Sequence, residues 1–233
     1  MTVRALRVGA AVWLLAAFLG SGCGPKTAQQ SPPTVAGDHR DDRAAKPAPK
    51  PLKAQKVVGL AGKRILMVLA PKDFRDEEYQ YPYNAFVGGG ASVTIASTKP
   101  GKLRGVGGTE VEATEAASAA DPGRFDAVVF VGGPGMVAYL DDAGFVGLAG
   151  KARSANRLIG AICVAPAILA NAGLLKGVPA TAFPDQLELL KASGAQVAGK
   201  HVVVAGDTIT ADGPDAADEF AQALAEALGK PAK

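Results

Sequence analysis

Four short apolar runs constrain the fold of this chain more than anything else in it. They are RILMVLA (Arg64–Ala70), ASVTIA (Ala91–Ala96), DAVVFV (Asp126–Val131) and LIGAIC (Leu158–Cys163). RILMVLA is continuously apolar and reads as a strand buried on both faces, and the other three read as further strands. Helical segments separate them. Asp76–Phe86 places Tyr79, Tyr83 and Phe86 near helical spacing, and Gly88-Gly89-Gly90 supplies its stop. Met136–Arg157 reads as an interrupted helix, Pro166–Leu175 and Pro184–Ser193 as two more. The last begins at Gly213-Pro214, with proline at its first position. Asp215, Asp218 and Glu219 lie in its first turns, and Phe220, Leu224 and Leu228 form its apolar stripe. Lys99–Gly108 reads as a glycine-rich connection, Thr109–Ala113 as a short strand, and Gln196–Val204 with Thr208–Thr210 as a strand pair turning at Gly206-Asp207. Strands alternating with helices predict an α/β fold: a doubly wound, mostly parallel sheet with helices on both faces. Sites in such folds lie at the carboxyl ends of the strands.

One of those strand ends carries a thiol. In LIGAICVAPAIL a buried strand runs into Cys163 and a helix follows, with Gly160, Ala161 and Ala165 keeping the turn small. This is the layout of a nucleophile elbow, with cysteine where serine is usual. A helix N-terminus in front of a thiol favours its ionised form. The chain has two cysteines, and Cys23 lies in a different kind of segment, which leaves Cys163 without a disulfide partner. A buried core cysteine is the simpler alternative.

The front of the chain reads as a targeting segment. Arg4 and Arg7 precede an uncharged stretch, Val8–Leu19, which Gly20, Ser21, Gly22 and Cys23 follow. That order describes an exported signal peptide over residues 1–22, too short for a comfortable membrane span. Small residues directly before Cys23 resemble a bacterial lipobox, which predicts lipidation of Cys23 and a lipid-anchored protein on the periplasmic side of the cell envelope. Gly24 stands where inner-membrane proteins have aspartate, which favours the outer membrane. Residues 23–56 are rich in Pro, Ala and Lys and read as a tether, spanning on the order of 30 Å as a flexible chain. Residues 57–233 are left for one domain with a proper core.

Charge divides along the same boundary. The chain is +3 overall; Arg4 and Arg7 supply +2, and residues 24–56, with seven Lys/Arg against three Asp, supply +4. The domain is therefore about −3, and a nucleic-acid partner loses its basic face. No histidine–cysteine constellation suggests a metal, and no dinucleotide fingerprint suggests a nucleotide cofactor.

The domain resembles the DJ-1/PfpI family, a branch of the class I glutamine-amidotransferase-like superfamily. Four motifs in order carry the resemblance: ILMVLAPKDFRDEEYQYPYNAF, FDAVVFVGGPG, GAICVAPAILANAGLLKG and ITADGPDAADEFAQALAEAL. It implies a flavodoxin-like fold, an elbow cysteine at Cys163 and a carboxyl partner at Glu78. Asp76 and Glu77 then read as surface charges. It further implies backbone N–H groups of Gly133 and Val164 around the sulfur, no cofactor, and a homodimer as in many members.

The chain departs from the family at two places. Protease-like members have histidine after the cysteine, where this chain has Val164; others have histidine before a proline, where this chain has Phe183. His201, the domain's only histidine, introduces the late strand pair and nothing in the sequence places it at the site. A cysteine peptidase or amidase needs a base and an acid for its leaving group, so the departures count against that activity. Addition of the thiol to a reactive aldehyde or glycation adduct asks for less. A non-turnover role stands beside it: thiol redox sensor, chaperone-like module or binding domain.

Overall fold

The computed structural model describes residues 58–230. The predicted signal peptide, Cys23 and the tether lie outside them. In chain order the elements are β1 (Arg64–Val68), β2 (Lys72–Phe74), α1 (Asp76–Gly88), β3 (Ser92–Ser97), β4 (Gly101–Gly105), β5 (Glu110–Ala113), β6 (Glu115–Ala116), β7 (Ala127–Phe130) and α2 (Ala143–Ser154). Then come β8 (Leu158–Ile162), α3 (Pro166–Asn171), β9 (Pro179–Ala180), α4 (Leu187–Ala192), β10 (Gln196–Val197), β11 (Val202–Ala205), β12 (Thr208–Ala211) and α5 (Ala217–Gly229).

The apolar runs become the middle of one sheet, ordered β11-β12-β8-β7-β1-β3-β6. Every residue of β7, β8 and β12 is buried, as two-sided cover by helices demands. All pairings in this sheet are parallel except that of β11 with β12. Counting only the inner strands, the order is 2-1-3-4-5, the flavodoxin-like doubly wound arrangement. The order reverses between β1 and β7, so a crevice opens at the carboxyl ends of those strands.

Helices cover both faces. α1 packs along α5 and against β3, while α5 also meets β8 and β12; α2 meets α3, β7 and β8. The Phe220, Leu224 and Leu228 stripe of α5 is buried as its spacing predicts. It comes so close to β8 that a Cβ on Gly160 would stand 2.9 Å from Leu224 Cδ2 and 3.1 Å from Phe220 Cζ. α2 is capped by Asp142, whose carboxylate accepts from the N–H groups of Gly144 (2.9 Å) and Phe145 (3.0 Å).

Three local expectations change. The Lys99–Gly108 stretch is not merely a connection: Gly101–Gly105 forms β4, antiparallel to β5, and β2 adds to its other edge. Leu103 is buried between exposed Lys102 and Arg104, a period-two signal that the surrounding glycines hide. The expected Gln196–Val204 strand is split, because Gln196–Val197 pairs with Pro179–Ala180 and only Val202–Ala205 joins the main sheet. α3 ends at Asn171, short of Leu175, because Gly173 turns at φ +71°.

Replacing Gly160 with valine should cost about 1–3 kcal/mol through overpacking against α5. Replacing Gly147, on α2 with open space at its Cβ position, with alanine should instead gain about 0.5–1 kcal/mol. Urea midpoints of the two variants against the parent check both signs.

Candidate active site

β8 delivers Cys163 to the sheet's carboxyl end and the backbone breaks there. Cys163 has φ +65°, a left-handed conformation that costs a non-glycine residue about 1–3 kcal/mol. The neighbours hold it. Its N–H donates to the Ala211 carbonyl (2.9 Å), its carbonyl accepts from the Phe183 N–H (2.8 Å), and the Ala165 N–H donates to the Ile162 carbonyl (3.1 Å). The thiol is turned out of the strand but stays buried.

The second strand end contributes Gly132 and Gly133, after β7. Gly132 has no room for a side chain: a Cβ would lie 2.6 Å from Cys163 Cβ, 2.7 Å from Glu78 Oε2 and 2.7 Å from the Ile162 carbonyl oxygen. The same three distances show how closely cysteine and carboxyl flank this turn. Gly133 has φ +109°, which glycine adopts without penalty, and its Cα faces the backbone of Asp73, Phe74 and Arg75.

The third contribution comes from the segment after β1. The Arg75 N–H donates to the Gly132 carbonyl (3.1 Å) and Arg75 caps α1. Glu78, in the first turn of that helix, is 0 % exposed. Its Oε2 accepts from the Gly132 N–H (3.1 Å), and its Oε1 has no conventional nitrogen or oxygen donor. The carboxyl and the Cys163 thiol interact as hydrogen-bond partners.

Burial decides the charge state. Removal from water pushes the Glu78 carboxyl up to about 8, against smaller downward pulls from Cys163, the Arg75 charge and the Gly132 N–H. Glu78 is therefore protonated at neutral pH, and with a donor on Oε2 the proton belongs on Oε1. Burial also pushes the Cys163 thiol up, to about 12, with the Glu78 charge adding to it. The N–H groups of Gly133 and Val164 pull the other way, toward thiolate, as does the expected influence of the following helix, but they are outweighed. The portion due to Glu78 exists only while that carboxyl is ionised. The resting pair is thus an uncharged acid beside an uncharged thiol.

Asp76 is buried and is no surface charge. Its carboxylate accepts from the N–H groups of Gly107 and Thr109 (2.9 Å for the latter), fastening the β4–β5 turn to the start of α1. Burial works to raise its pKa, but the Thr109 hydroxyl and these N–H groups overcome it and hold the group below its ordinary value. Glycine at 105 and 107 makes room for it, since a Cβ at either would stand 2.6 or 2.8 Å from the carboxylate. Glu77 also departs from the surface expectation in part, having one carboxylate oxygen buried without a partner. The sequence reading missed Asp76 and the role of Gly132; the paired glycines of GGPG were the available signal for the latter. His201 stands at the same end of the sheet, engaged with Asp212 (2.8 Å) and largely exposed, and no hydrogen bond joins it to Cys163. Among the described residues no three His, Cys, Asp or Glu side chains group as a metal site.

The comparisons with known proteins bear on family and fold. The sequence profile of the DJ-1/PfpI family matches residues 63–227. An uncharacterized protein of Methanocaldococcus jannaschii is 38% identical over 170 residues, 72% of this chain and 83% of that protein. A deglycase of Pyrococcus abyssi is 32% identical over 151 residues, 64% of this chain and 90% of its own length. The crystal structure of a ThiJ/PfpI domain protein from Brachyspira murdochii superposes with a TM-score of 0.71 at 31% identity, covering 73% of this chain and all of the other.

Alkylation of Cys163 by iodoacetamide should show a pH midpoint above the ordinary thiol value of about 8.5. Glu78→Gln, which removes the ionisable neighbour, should bring that midpoint down. The same variant tests the linkage to stability. A carboxyl raised in the folded state from 4.5 to about 8 contributes stability that is complete below pH 4.5 and lost as pH climbs to about 8. Urea midpoints should therefore move in favour of Glu78→Gln between pH 5 and pH 8, by on the order of a few kcal/mol; no movement would place Glu78's proton elsewhere.

Proposed function

The chain belongs to the DJ-1/PfpI family, and on that premise we propose that it uses Cys163 to capture reactive carbonyl compounds, as a glyoxalase or deglycase does. The observation that carries this reading is the fully buried Glu78 carboxyl beside Cys163, a position that favours its protonated form. A thiol that rests uncharged needs a base as the substrate arrives, and the new alkoxide needs an acid. One carboxyl does both. The sulfur adds to the aldehyde carbon, the carbonyl π pair moves to oxygen, Glu78 gives that oxygen its proton and takes the thiol proton in return. The product is a hemithioacetal, with Glu78 restored. The N–H groups of Gly133 and Val164 act on the developing charge.

For a 2-oxoaldehyde, Glu78 then gives its proton to the neighbouring ketone oxygen while its other oxygen takes the hydrogen of the captured carbon, which makes an enediol; it next gives that hydrogen to the neighbouring carbon and takes the proton of the hydroxyl on the sulfur-bearing carbon. That internal shift leaves a thioester of a 2-hydroxy acid, and water releases the acid and the thiol. Oxidation of one carbon balances reduction of the other, so no external oxidant or reductant enters. Relatives named deglycases support the reaction class. Val164 and Phe183, at the positions where the sequence comparison expected histidine, leave no histidine for amide hydrolysis, which argues against a peptidase.

A sensor role has one observation in its favour: the two N–H groups and the Glu78 proton are equally placed to hold an oxidised sulfur. Lipidation at Cys23, and with it a place on the periplasmic side of the bacterial envelope, is supported by the sequence order of residues 1–23 alone.

Methylglyoxal offered to the purified protein should disappear with formation of lactate. Cys163→Ser should abolish the reaction and Glu78→Gln should lower kcat by about 10²–10⁴-fold. Turnover that survives Cys163→Ser removes the reading. Absent turnover together with oxygen gain at Cys163 under mild peroxide, seen by mass, selects the sensor.

A further inference from the structure

Phe183 stands apart from the other phenylalanines. The described residues bury almost all of their phenylalanines completely or nearly so, yet Phe183 is 36 % exposed. It is also tied to the reactive residue, since its N–H donates to the Cys163 carbonyl at 2.8 Å. That bond sets its Cα beside the elbow. Its ring lies beside the Gly213 backbone, since a Cβ on Gly213 would stand 3.6 Å from Phe183 Cδ2, an ordinary contact distance. A second loop, which contacts the sulfur through the Gly133 N–H, continues into Pro134–Tyr139, where Val137 is again a large apolar residue left half-exposed. The loop bonded to the Cys163 backbone and the loop at its sulfur therefore both keep apolar surface in water, and neither has a histidine. Exposed aromatic surface next to a buried nucleophile is costly to hydrate and is relieved by a flat apolar group laid against it.

We propose that Phe183 is the specificity-determining residue of the Cys163 site, and that the compounds it selects carry an aryl group next to the reactive carbon, as in an aryl 2-oxoaldehyde. The proposal deepens the carbonyl-capture reading and rests on it for the chemistry, but not for the shape of the site. The aryl ring stacks on Phe183 while the carbonyl carbon reaches Cys163. A methyl-bearing substrate gains little there.

The test compares two alkylating agents with one reactive end, iodoacetamide and N-benzyl iodoacetamide, on the full protein, reading Cys163 modification by mass. In each, the sulfur displaces iodide and forms a thioether, so the ratio of the two rates cancels any change in the thiol itself. The parent should favour the benzyl reagent by about tenfold after correction for the ratio on free cysteine. Phe183→Ala should collapse that preference, and Phe183→Tyr, which keeps the ring, should restore it. A purely structural role for Phe183 through its backbone N–H would change both rates together and leave the ratio alone. A parent ratio near that of free cysteine, or a preference that survives Phe183→Ala, overturns the proposal. The ratio needs no turnover. A protein that consumes no aldehyde yet keeps the Phe183-dependent preference retains the aryl subsite and loses only the carbonyl-capture reading. Where turnover is present, kcat/KM for phenylglyoxal over methylglyoxal should fall by a similar factor in Phe183→Ala; an unchanged quotient overturns the proposal as well.

Discussion

A missing side chain holds the site together. Three strand ends meet at Gly132, with Cys163 on one side, the Glu78 carboxyl on another and the Ile162 carbonyl on a third, all closer than a methyl group allows. Because the gap is that narrow, the Gly132 N–H reaches Glu78 and the Gly132 carbonyl receives the Arg75 N–H. The strand β7 thus binds the start of α1 through both of this residue's backbone groups. The doubly wound order makes the meeting possible, since β1 and β7 are neighbours from which the chain departs in opposite directions. Fold and site are one arrangement seen at two scales.

Water exclusion then sets the chemistry. A carboxyl and a thiol at the same spot in water would both follow their ordinary titrations. Here the cost of a buried charge exceeds the help from the surrounding N–H groups, and the proton stays on the pair. Strain at Cys163 is the other contribution: a left-handed residue is tolerated because its N–H and carbonyl are both engaged by neighbouring segments. The elbow therefore spends some of the fold's stability on pointing a sulfur out of its strand.

Much of this was legible in the sequence, for identifiable reasons. Continuous apolar runs mark strands covered on two faces, and they fixed the sheet's interior. The LIGAIC–VAPAIL change from strand to helix marked the elbow. The stripe Phe220, Leu224, Leu228 gave the last helix its buried side. What resisted reading depended on distant partners. Asp76 looks like one acid among three, and only the approach of Gly107 and Thr109, some thirty residues away, reveals it as buried. β4 hides because its glycines lower strand propensity while its single buried side chain, Leu103, is easily passed over. The direction of the Cys163 shift was illegible for a similar reason: a helix start is a local feature, whereas burial and the Glu78 charge come from the assembled fold.

The Asp76 fastening reaches beyond stability. Its carboxylate fills the space that Cβ atoms at positions 105 and 107 would take, so those glycines and that acid are not independent letters. A lineage that gained a side chain at either glycine would lose the acid's seat, and one that lost the acid would free both glycines to drift. The three positions form a ratchet with a preferred order of substitution, acid first and glycines after. Asp76 stands two residues before Glu78 on the same helix turn, so that path runs beside the catalytic candidate. The hairpin is thereby shielded from drift by the same residues that any change of chemistry would have to move through.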